Sequence, residues 1–161
     1  MKKVTIYTDG GCIRNPKGPG GYGIVMLYSN NGEIHKKEIY GGYNNTTNNR
    51  MELMAVIVGL EKLKERCSVE IYTDSQYIVN AVNKGWANNW KNNNWHKGKN
   101  SKSKAKNSDL WDKILKLIDK HQVKFIWVKG HAGNYYNECC DRLANIAMKE
   151  KNLPDDLGDE S

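Results

Sequence analysis

This 161-residue sequence has no long apolar run, no C-x-x-C pair and no acidic residue in its central part. Without an apolar run of about 18 residues or more, it has no candidate transmembrane helix. The apolar stretch after the N-terminal lysines stops at Asp9, too early for the core of a signal peptide. The missing C-x-x-C pair argues against a zinc or redox site of that type. We therefore expect a soluble, cytoplasmic protein with reduced thiols and no membrane partner.

No acidic residue occurs between residues 75 and 108, and the acids that do occur are unevenly placed. The formal net charge is +7, although residues 154–161 contain four acids. Residues 1–153 therefore contain all 25 basic residues but 14 of the 18 acidic ones. A basic body is typical of proteins that bind nucleic acid, although many basic proteins bind none. Residues 84–106, with seven lysines and three tryptophans, are the most unusual part of the chain.

Strand and helix patterns follow one another in an order typical of an α/β domain. Three strands are predicted first, from KVTIYT, GYGIVMLYS and EIHKKEIYGGY. A helix over residues 49–66 precedes the strand VEIYT, and a helix ending at Gly85 follows it. Next come the helix SDLWDKILKLIDKH, the strand VKFIWVKG and a helix over about residues 134–149. We expect one α/β domain over residues 1–150, with a mixed sheet whose first three strands are antiparallel. Residues 151–161 are expected to be a flexible acidic tail.

The glycine-rich segment GPGGYG also matches a known pattern. Gly18, Gly20 and Gly23 satisfy G-x-G-x-x-G, but a strand pattern follows instead of a helix. The pyrophosphate-binding helix N-terminus of a dinucleotide site is therefore missing. We expect a flexible turn here.

One phrase occurs twice, as VTIYTDG ending at Gly10 and as VEIYTDS ending at Ser75. Each copy predicts a strand with an aspartate, Asp9 or Asp74, at its carboxyl end. Asp-Gly is also a common turn, and Asp-Ser a common helix start, so either aspartate alone is ambiguous. The repetition favours function, because two adjacent carboxylates repel each other unless a cation lies between them. With no histidine or cysteine clustered nearby, the donors would be oxygens, which suit Mg²⁺ or Mn²⁺.

Two further acids, Glu52 and Asp141, can each be interpreted as a metal ligand or as a residue with an ordinary structural role. Glu52 is either a metal ligand or the second half of a capping box with Asn49. Asp141 is either a ligand or an exposed acid on the last predicted helix. Sequence spacing alone does not bring the four acids together.

Several ordered motifs resemble those of the ribonuclease H family, specifically its bacterial type I branch. They are TDG at Asp9, TTNNRMELMA around Glu52, YTDSQYI at Asp74, VKGHAG at His131 and NECCDRLAN at Asp141. The similarity extends from residue 3 to about residue 149. It implies a five-stranded mixed sheet of order 3-2-1-4-5 with helices on both faces. It also implies that the four acids form an active site with two Mg²⁺ ions, Mn²⁺ being possible, beside His131 on a mobile loop.

The same resemblance implies hydrolysis of the RNA strand of RNA/DNA hybrids by a monomer, leaving 3′-hydroxyl and 5′-phosphate ends. Residues matching the family's RNA-strand contacts are Cys12, Asn15, Asn48, Asn49 and Gln76. Those matching its DNA-strand contacts are Thr47 and Asn107, which form a phosphate pocket, and Trp86. Residues 84–106 resemble the family's basic protrusion, the name used below, with Lys91, Lys97 and Lys99 as backbone contacts. Where some relatives have an arginine two residues before the pocket threonine, this chain has Asn45.

Other functions are compatible with parts of this pattern. A noncatalytic nucleic-acid-binding module would retain the basic protrusion, but it would be expected to lack at least one of the four acids. A different metal phosphohydrolase on the same fold is a second alternative, since a fold does not determine the substrate. A reverse-transcriptase fragment is a third, and a free-standing enzyme is the expectation.

Overall fold

The computed structural model describes residues 1–158, in which five strands form one sheet of order β3-β2-β1-β4-β5. The strands are β1 Lys2–Cys12, β2 Gly18–Asn30, β3 Glu33–Thr46, β4 Cys67–Thr73 and β5 Gln122–Trp127. Neighbouring strands are antiparallel within β1, β2 and β3, whereas β4 is parallel to both β1 and β5. The predicted fold class and strand order are confirmed.

Five helices connect or follow these strands. They are α1 Asn48–Glu61, α2 Gln76–Asn83, α3 Trp86–Asn92, α4 Ser108–Asp119 and α5 Tyr135–Met148. None in the described part of the chain has both the length and the apolar character needed to cross a membrane. The first helix ends earlier than expected. The helix predicted to end at Gly85 corresponds to α2, and Gly85, whose φ of 76° is left-handed, separates it from the short helix α3, which was not predicted.

The larger hydrophobic core lies on the face of the sheet that carries α1 and α4. Alternate residues of β1, among them Val4 and Ile6, are buried there. In α4 the buried residues Trp111 and Ile114 follow helical spacing, so one stripe faces the sheet. A smaller cluster lies under α5 on the opposite face and includes Val25. Strand β1 is therefore covered on both sides, and its carboxyl end is held in a fixed position.

The glycine-rich segment is a strand and not the flexible turn expected from its composition. Gly18, Gly20, Gly21 and Gly23 belong to β2 and are in register with β1, with β3 or with both. Gly21 and Gly23 are needed because α5 packs directly on this strand, and its backbone lies where their side chains would be.

Residues 151–158 lie against the end of β3. The backbone of Asn44 donates to the Pro154 carbonyl at 2.8 Å and accepts from the Asp156 N–H at 2.9 Å. The Asp156 side chain is 7% exposed and forms an ion pair with Arg50. This arrangement differs from the flexible tail expected from composition; residues 159–161 lie outside the described part of the chain.

Candidate active site

Asp9 and Asp74 are at the carboxyl ends of two neighbouring parallel strands. The two copies of the repeated sequence are in register with each other, since Val4 pairs with Val69 and Tyr7 with Tyr72. Asp9 and Asp74 each come two residues after the paired tyrosines. The repeated sequence therefore delivers two carboxylates side by side at one edge of the sheet.

Glu52 reaches the same edge from α1. The helix is capped by Thr47, whose hydroxyl accepts from the Arg50 N–H at 3.2 Å. The capping box proposed for Asn49 and Glu52 is therefore wrong, because Asn49 already lies inside the helix. A side chain at Gly10 would lie 2.5 Å from the Glu52 backbone nitrogen, so only glycine lets α1 approach β1 this closely. This close packing aims Glu52 at the two aspartates.

Asp9, Glu52 and Asp74 form one carboxylate cluster. One oxygen from each lies within 4.8 Å of the other two. Burial raises the pKa of Asp9 most, and together with the neighbouring charges of Asp74 and Asp141 it brings that pKa to about 7. The pKa of Glu52 is raised well above its ordinary value, first by burial and then by Asp9 and Asp74. Burial also raises the pKa of Asp74, although His131 opposes this shift.

The chemistry of this cluster fits a divalent cation. All three side chains offer oxygen donors, as hard ions such as Mg²⁺ and Mn²⁺ prefer. The Glu52 Oε2 atom is buried and has no hydrogen-bond partner. An orphaned buried carboxylate oxygen is costly unless something binds it. A cation between the three groups would satisfy this oxygen and remove the mutual repulsion.

Asp141 approaches Asp9 from α5, on the other face of the sheet. The two side chains lie close enough that Asp141 raises the pKa of Asp9 both by its charge and by a hydrogen bond. The approach depends on Gly23, which pairs with Asp9 across β1 and β2. A side chain at Gly23 would overlap the Cys140 carbonyl oxygen and push α5 away. Asp141 is thus beside the cluster but outside the group of three that share a 4.8 Å spacing.

His131 lies in the segment between β5 and α5. Its backbone φ of 53° is left-handed, which is uncommon for a residue with a side chain. Its effect on the pKa of Asp74 puts it near that carboxylate. The other four predicted catalytic residues therefore come from four different elements or loops. Glu52, Asp74 and Asp141 lie beside Asp9, and His131 lies near Asp74.

Five of the predicted substrate contacts line one open cavity of about 480 Å³, which also includes the start of α1. Those lining it are Asn15, Thr47, Asn48, Asn49 and Asn107. Within the cavity wall the Asn15 side chain accepts from the Asn48 N–H at 3.0 Å. Sequence reasoning missed several other lining residues, namely Lys17, Arg50, Lys106 and Asp156. Arg50 belongs to the motif TTNNRME, but the motif does not predict its ion pairs with Asp109 on α4 and with Asp156 near the C-terminus.

The remaining predicted contacts lie outside this cavity. The Cys12 thiol is directed at the Gly18 and Thr46 carbonyls, each at 3.4 Å. Gln76 opens α2 and lines a separate groove beside Trp127.

The basic protrusion comprises α3 and the loop that follows it. Trp86 opens α3 and is 38% exposed, with the Lys84 ammonium 5.6 Å from its ring centroid. Lys91 is in the last turn of α3, and Lys97 and Lys99 follow in the loop. These three lysines lie outside the residues that line the cavity.

Comparison with known proteins identifies the family. The family model for RNase H matches residues 1–149. A ribonuclease H of Desulforamulus reducens is 58% identical over 157 residues, covering 98% of this chain and 94% of that protein. A ribonuclease HI of Synechocystis is 54% identical over 154 residues, covering 95% and 92%.

Solved structures agree with this result. The crystal structure of LC9-RNase H1, described as a type 1 RNase H with the type 2 active-site motif, superposes with a TM-score of 0.81. It is 31% identical and covers 92% of this chain and 72% of that one. LC11-RNase H1 in complex with an RNA/DNA hybrid superposes with a TM-score of 0.65 at 26% identity, covering 90% and 96%. Because the family model and the curated relatives match nearly the whole chain, this protein belongs to the RNase H family.

Proposed function

We propose that this protein is a metal-dependent endoribonuclease that hydrolyses the RNA strand of RNA/DNA hybrids, leaving 3′-hydroxyl and 5′-phosphate ends. The observation that carries the proposal is the cluster of Asp9, Glu52 and Asp74, with its orphaned Glu52 oxygen, at one sheet edge. The named relatives support the substrate class, since they are ribonucleases H and one was solved with an RNA/DNA hybrid.

The four acids would hold two Mg²⁺ ions, with Mn²⁺ as the alternative. When bound, such a pair supplies an activated water and stabilises the leaving oxygen of a phosphodiester. Asp9 would contribute to both ion sites, because it lies close enough to Asp74 and to Asp141 for both charges to raise its pKa. Glu52 and Asp74 would complete one ion site, and Asp74 and Asp141 the other.

His131 is proposed to move protons or to assist departure of the product. Its place beside Asp74 puts it next to the reacting phosphate in this scheme.

Hybrid recognition requires contacts to both strands. Amide side chains can read the 2′-hydroxyl of RNA, which is both donor and acceptor. We assign this role to the residues predicted for the RNA strand: Cys12, Asn15, Asn48, Asn49 and Gln76. The DNA strand would bind at Thr47, Asn107 and Trp86, with backbone contacts from Lys91, Lys97 and Lys99. A monomer acting in the cytoplasm completes the proposal, in keeping with four free cysteines.

The test is incubation with a labelled RNA/DNA hybrid, using single-stranded RNA, duplex RNA and duplex DNA as controls. We expect RNA cleavage in the hybrid alone, in Mg²⁺ but not in EDTA. The variant Asp9→Asn is expected to bind the hybrid but not to cut it. Near-normal turnover by that variant would contradict the metal assignment. Binding of the hybrid by the wild-type protein without any cleavage in Mg²⁺ or Mn²⁺ would instead support a noncatalytic module.

A further inference from the structure

Trp127 presents an exposed aromatic ring beside the carboxylate cluster. It is the last residue of β5, where it pairs with Thr73 of β4. Asp74 follows Thr73 directly in the chain. Trp127 is nevertheless 43% exposed, although β5 belongs to the central sheet. A tryptophan in such a place offers apolar surface that the fold itself does not bury, as is common where a protein contacts a ligand or partner.

The orientation of this ring is fixed by the active-site backbone. The Trp127 Nε1 donates to the Asp74 carbonyl at 3.1 Å, and the Val128 N–H donates to the Thr73 carbonyl at 2.9 Å. The indole N–H is the one polar group of the side chain, and this hydrogen bond uses it. A ligand would therefore meet the carbon surface of a ring that is already held in place, so little rotamer entropy is lost on binding.

Trp127 lines a small groove of about 280 Å³ together with α2. The other lining residues are Gln76, Val79 and Asn80. Gln76 and Asn80 are four residues apart in this helix, so their amide side chains lie on the same side of it. Val79 is buried between them. The groove thus combines an aromatic ring, a buried apolar side chain and two amides, and none of its four lining side chains is charged.

This chemistry selects a sugar and not a phosphate. Phosphates are bound mainly by cationic side chains, which these four residues do not provide. Amides can donate to and accept from a 2′-hydroxyl, and an aromatic face can pack against the C–H groups of a ribose. The bases of a paired hybrid are stacked inside the duplex. The sugar is therefore the uncharged part of the strand that can reach this groove.

The position of the groove selects the RNA strand. Trp127 is hydrogen-bonded to the Asp74 backbone, and Gln76, a predicted RNA-strand contact, is two residues after Asp74. The groove is therefore continuous with the proposed active site. Because the strand that is hydrolysed must pass the Asp74 carboxylate, a nucleotide of the same strand lies at this groove.

We propose that Trp127, together with Gln76 and Asn80, binds a ribose of the RNA strand next to the scissile phosphodiester. The assignment rests on the proposed function and adds to it two residues, Trp127 and Asn80, for which the sequence predicted no contact. In the complex the indole packs against the sugar while its N–H remains bonded to the Asp74 carbonyl.

The test compares Trp127→Phe, which keeps an aromatic face without the indole N–H, with Trp127→Ala, which loses both. Affinity for a labelled RNA/DNA hybrid is measured in EDTA, which prevents cleavage, and kcat is measured in Mg²⁺. We expect Trp127→Ala to bind roughly five- to tenfold more weakly, and Trp127→Phe less than about threefold more weakly. The salt dependence of binding should not change, because no charge is removed.

A structural role alone predicts a different pattern. If Trp127 acted only by holding the Asp74 backbone, both variants would lose kcat, since both lack the N–H, and neither would lose affinity in EDTA. That pattern would overturn the proposal. Tyr40→Ala is the matched control, because Tyr40 is 46% exposed on β3. Equal losses of affinity in Tyr40→Ala and Trp127→Ala would show a general effect of removing exposed aromatic residues and would also overturn it.

Asn80→Ala tests the groove without disturbing β5. Alanine has a higher helix propensity than asparagine, so α2 is expected to remain folded. We expect a loss of hybrid affinity of about two- to fivefold in EDTA, as for one hydrogen bond to a hydroxyl. Unchanged affinity in Asn80→Ala would remove this amide from the proposed contact.

Tryptophan fluorescence reports on the contact directly. The emission of Trp127 is obtained as the difference between the wild-type protein and Trp127→Phe, which share the other four tryptophans. Acrylamide should quench this emission in the free protein and much less in the presence of saturating hybrid in EDTA. Saturating duplex DNA of the same sequence, which has no 2′-hydroxyls, should protect it less. Equal protection by hybrid and by duplex DNA would contradict the assignment to a ribose.

The same experiments separate this proposal from the proposed function. Failure of the wild-type protein to bind or cleave any hybrid would contradict the proposed function itself. Normal cleavage by the wild-type protein, with unchanged hybrid affinity in Trp127→Ala, would overturn the assignment of Trp127 alone.

Discussion

At the scale of single residues, the ionised Asp9 carboxylate lowers the free energy of unfolding of the metal-free protein. Its pKa of about 7 in the fold lies above the ordinary value of 3.8. The cost is therefore absent below pH 4, grows as the pH rises and is complete above pH 7. Without metal we expect Asp9→Asn to raise the melting temperature by roughly 5 °C at pH 8 and hardly at all at pH 4.

Circular dichroism melts in EDTA across this pH range measure the effect. Adding Mg²⁺ should shrink the difference at pH 8, because the cation stabilises the wild-type cluster. A difference that stayed constant from pH 4 to pH 8 would contradict the assigned titration of Asp9.

His121 makes a pH-dependent contact of the opposite sign. Its Nδ1 accepts from the Cys67 N–H at 3.1 Å, so the contact requires a deprotonated ring nitrogen. Burial lowers the pKa of His121, and the nearby charges of Arg66 and Lys120 lower it further. The stability that this contact contributes is present above pH 6.5 and is lost as the pH falls below that value.

The variant His121→Asn tests this contact, because an amide oxygen can accept the same hydrogen bond without titrating. We expect the wild-type melting temperature to fall relative to that of the variant between pH 7 and pH 5. Parallel melting curves across this range would exclude His121 as the group responsible.

Residues that could be predicted from the sequence are those whose position follows from one strand. Asp9 and Asp74 are of this kind, since parallel strands place their carboxyl ends at one edge. Glu52 was ambiguous because Asn49 offered a plausible cap, and the true cap is Thr47. The role of Arg50 could not be foreseen, since its acceptors lie 57 to 106 residues away.

At the scale of elements, the distance between α5 and the sheet controls where Asp141 lies. Gly23 sits where a methyl group would collide with the Cys140 carbonyl and the Leu143 side chain. We expect Gly23→Ala to destabilise the protein by about 1–3 kcal/mol and to lower kcat at least about tenfold, because α5 must move.

Gly11→Ala is the control for this prediction. Its added methyl would meet the end of the Met148 side chain at 3.3 Å, and that flexible group can yield. Chemical unfolding and steady-state cleavage of a hybrid measure both variants. Equal kinetics for the two would show that the position of α5 does not limit the reaction.

The boundaries of elements were predicted best where one periodic pattern continued without interruption. Helices α4 and α5 are of this kind, whereas β1, β2, β3 and β5 each differ from their predicted bounds by at least three residues at one end. Helix α3 was not predicted, because it has seven residues and buries only Ala87. A helix this short, in a lysine-rich stretch, leaves too little apolar periodicity to identify.

At the scale of the whole molecule, the C-terminal segment joins parts of the chain that are far apart in sequence. Asp156 meets Arg50 at the start of α1, and Asp109 on α4 meets the same guanidinium. Composition predicted a tail because residues 154–161 are acidic and contain little apolar surface. A local sequence pattern does not predict the ion pair between Asp156 and the buried Arg50, because the two residues are far apart in sequence.

The Asp156 ion pair is therefore expected to contribute to global stability. The Arg50 side chain is 5% exposed, so replacing Asp156 with asparagine removes a buried charge and leaves one guanidinium N–H facing an amide NH2 group instead of an acceptor. We expect Asp156→Asn to destabilise the protein by about 3 kcal/mol and to lower the melting temperature by roughly 6–12 °C. Asp155→Asn is the matched control, because Asp155 is exposed and its side chain accepts a hydrogen bond from the exposed Asn45 side chain. It should change stability by less than about 0.5 kcal/mol. Urea unfolding of both variants decides the matter: similar stabilities would mean that residues 151–158 are held by their backbone contacts to Asn44 and not by the charge of Asp156.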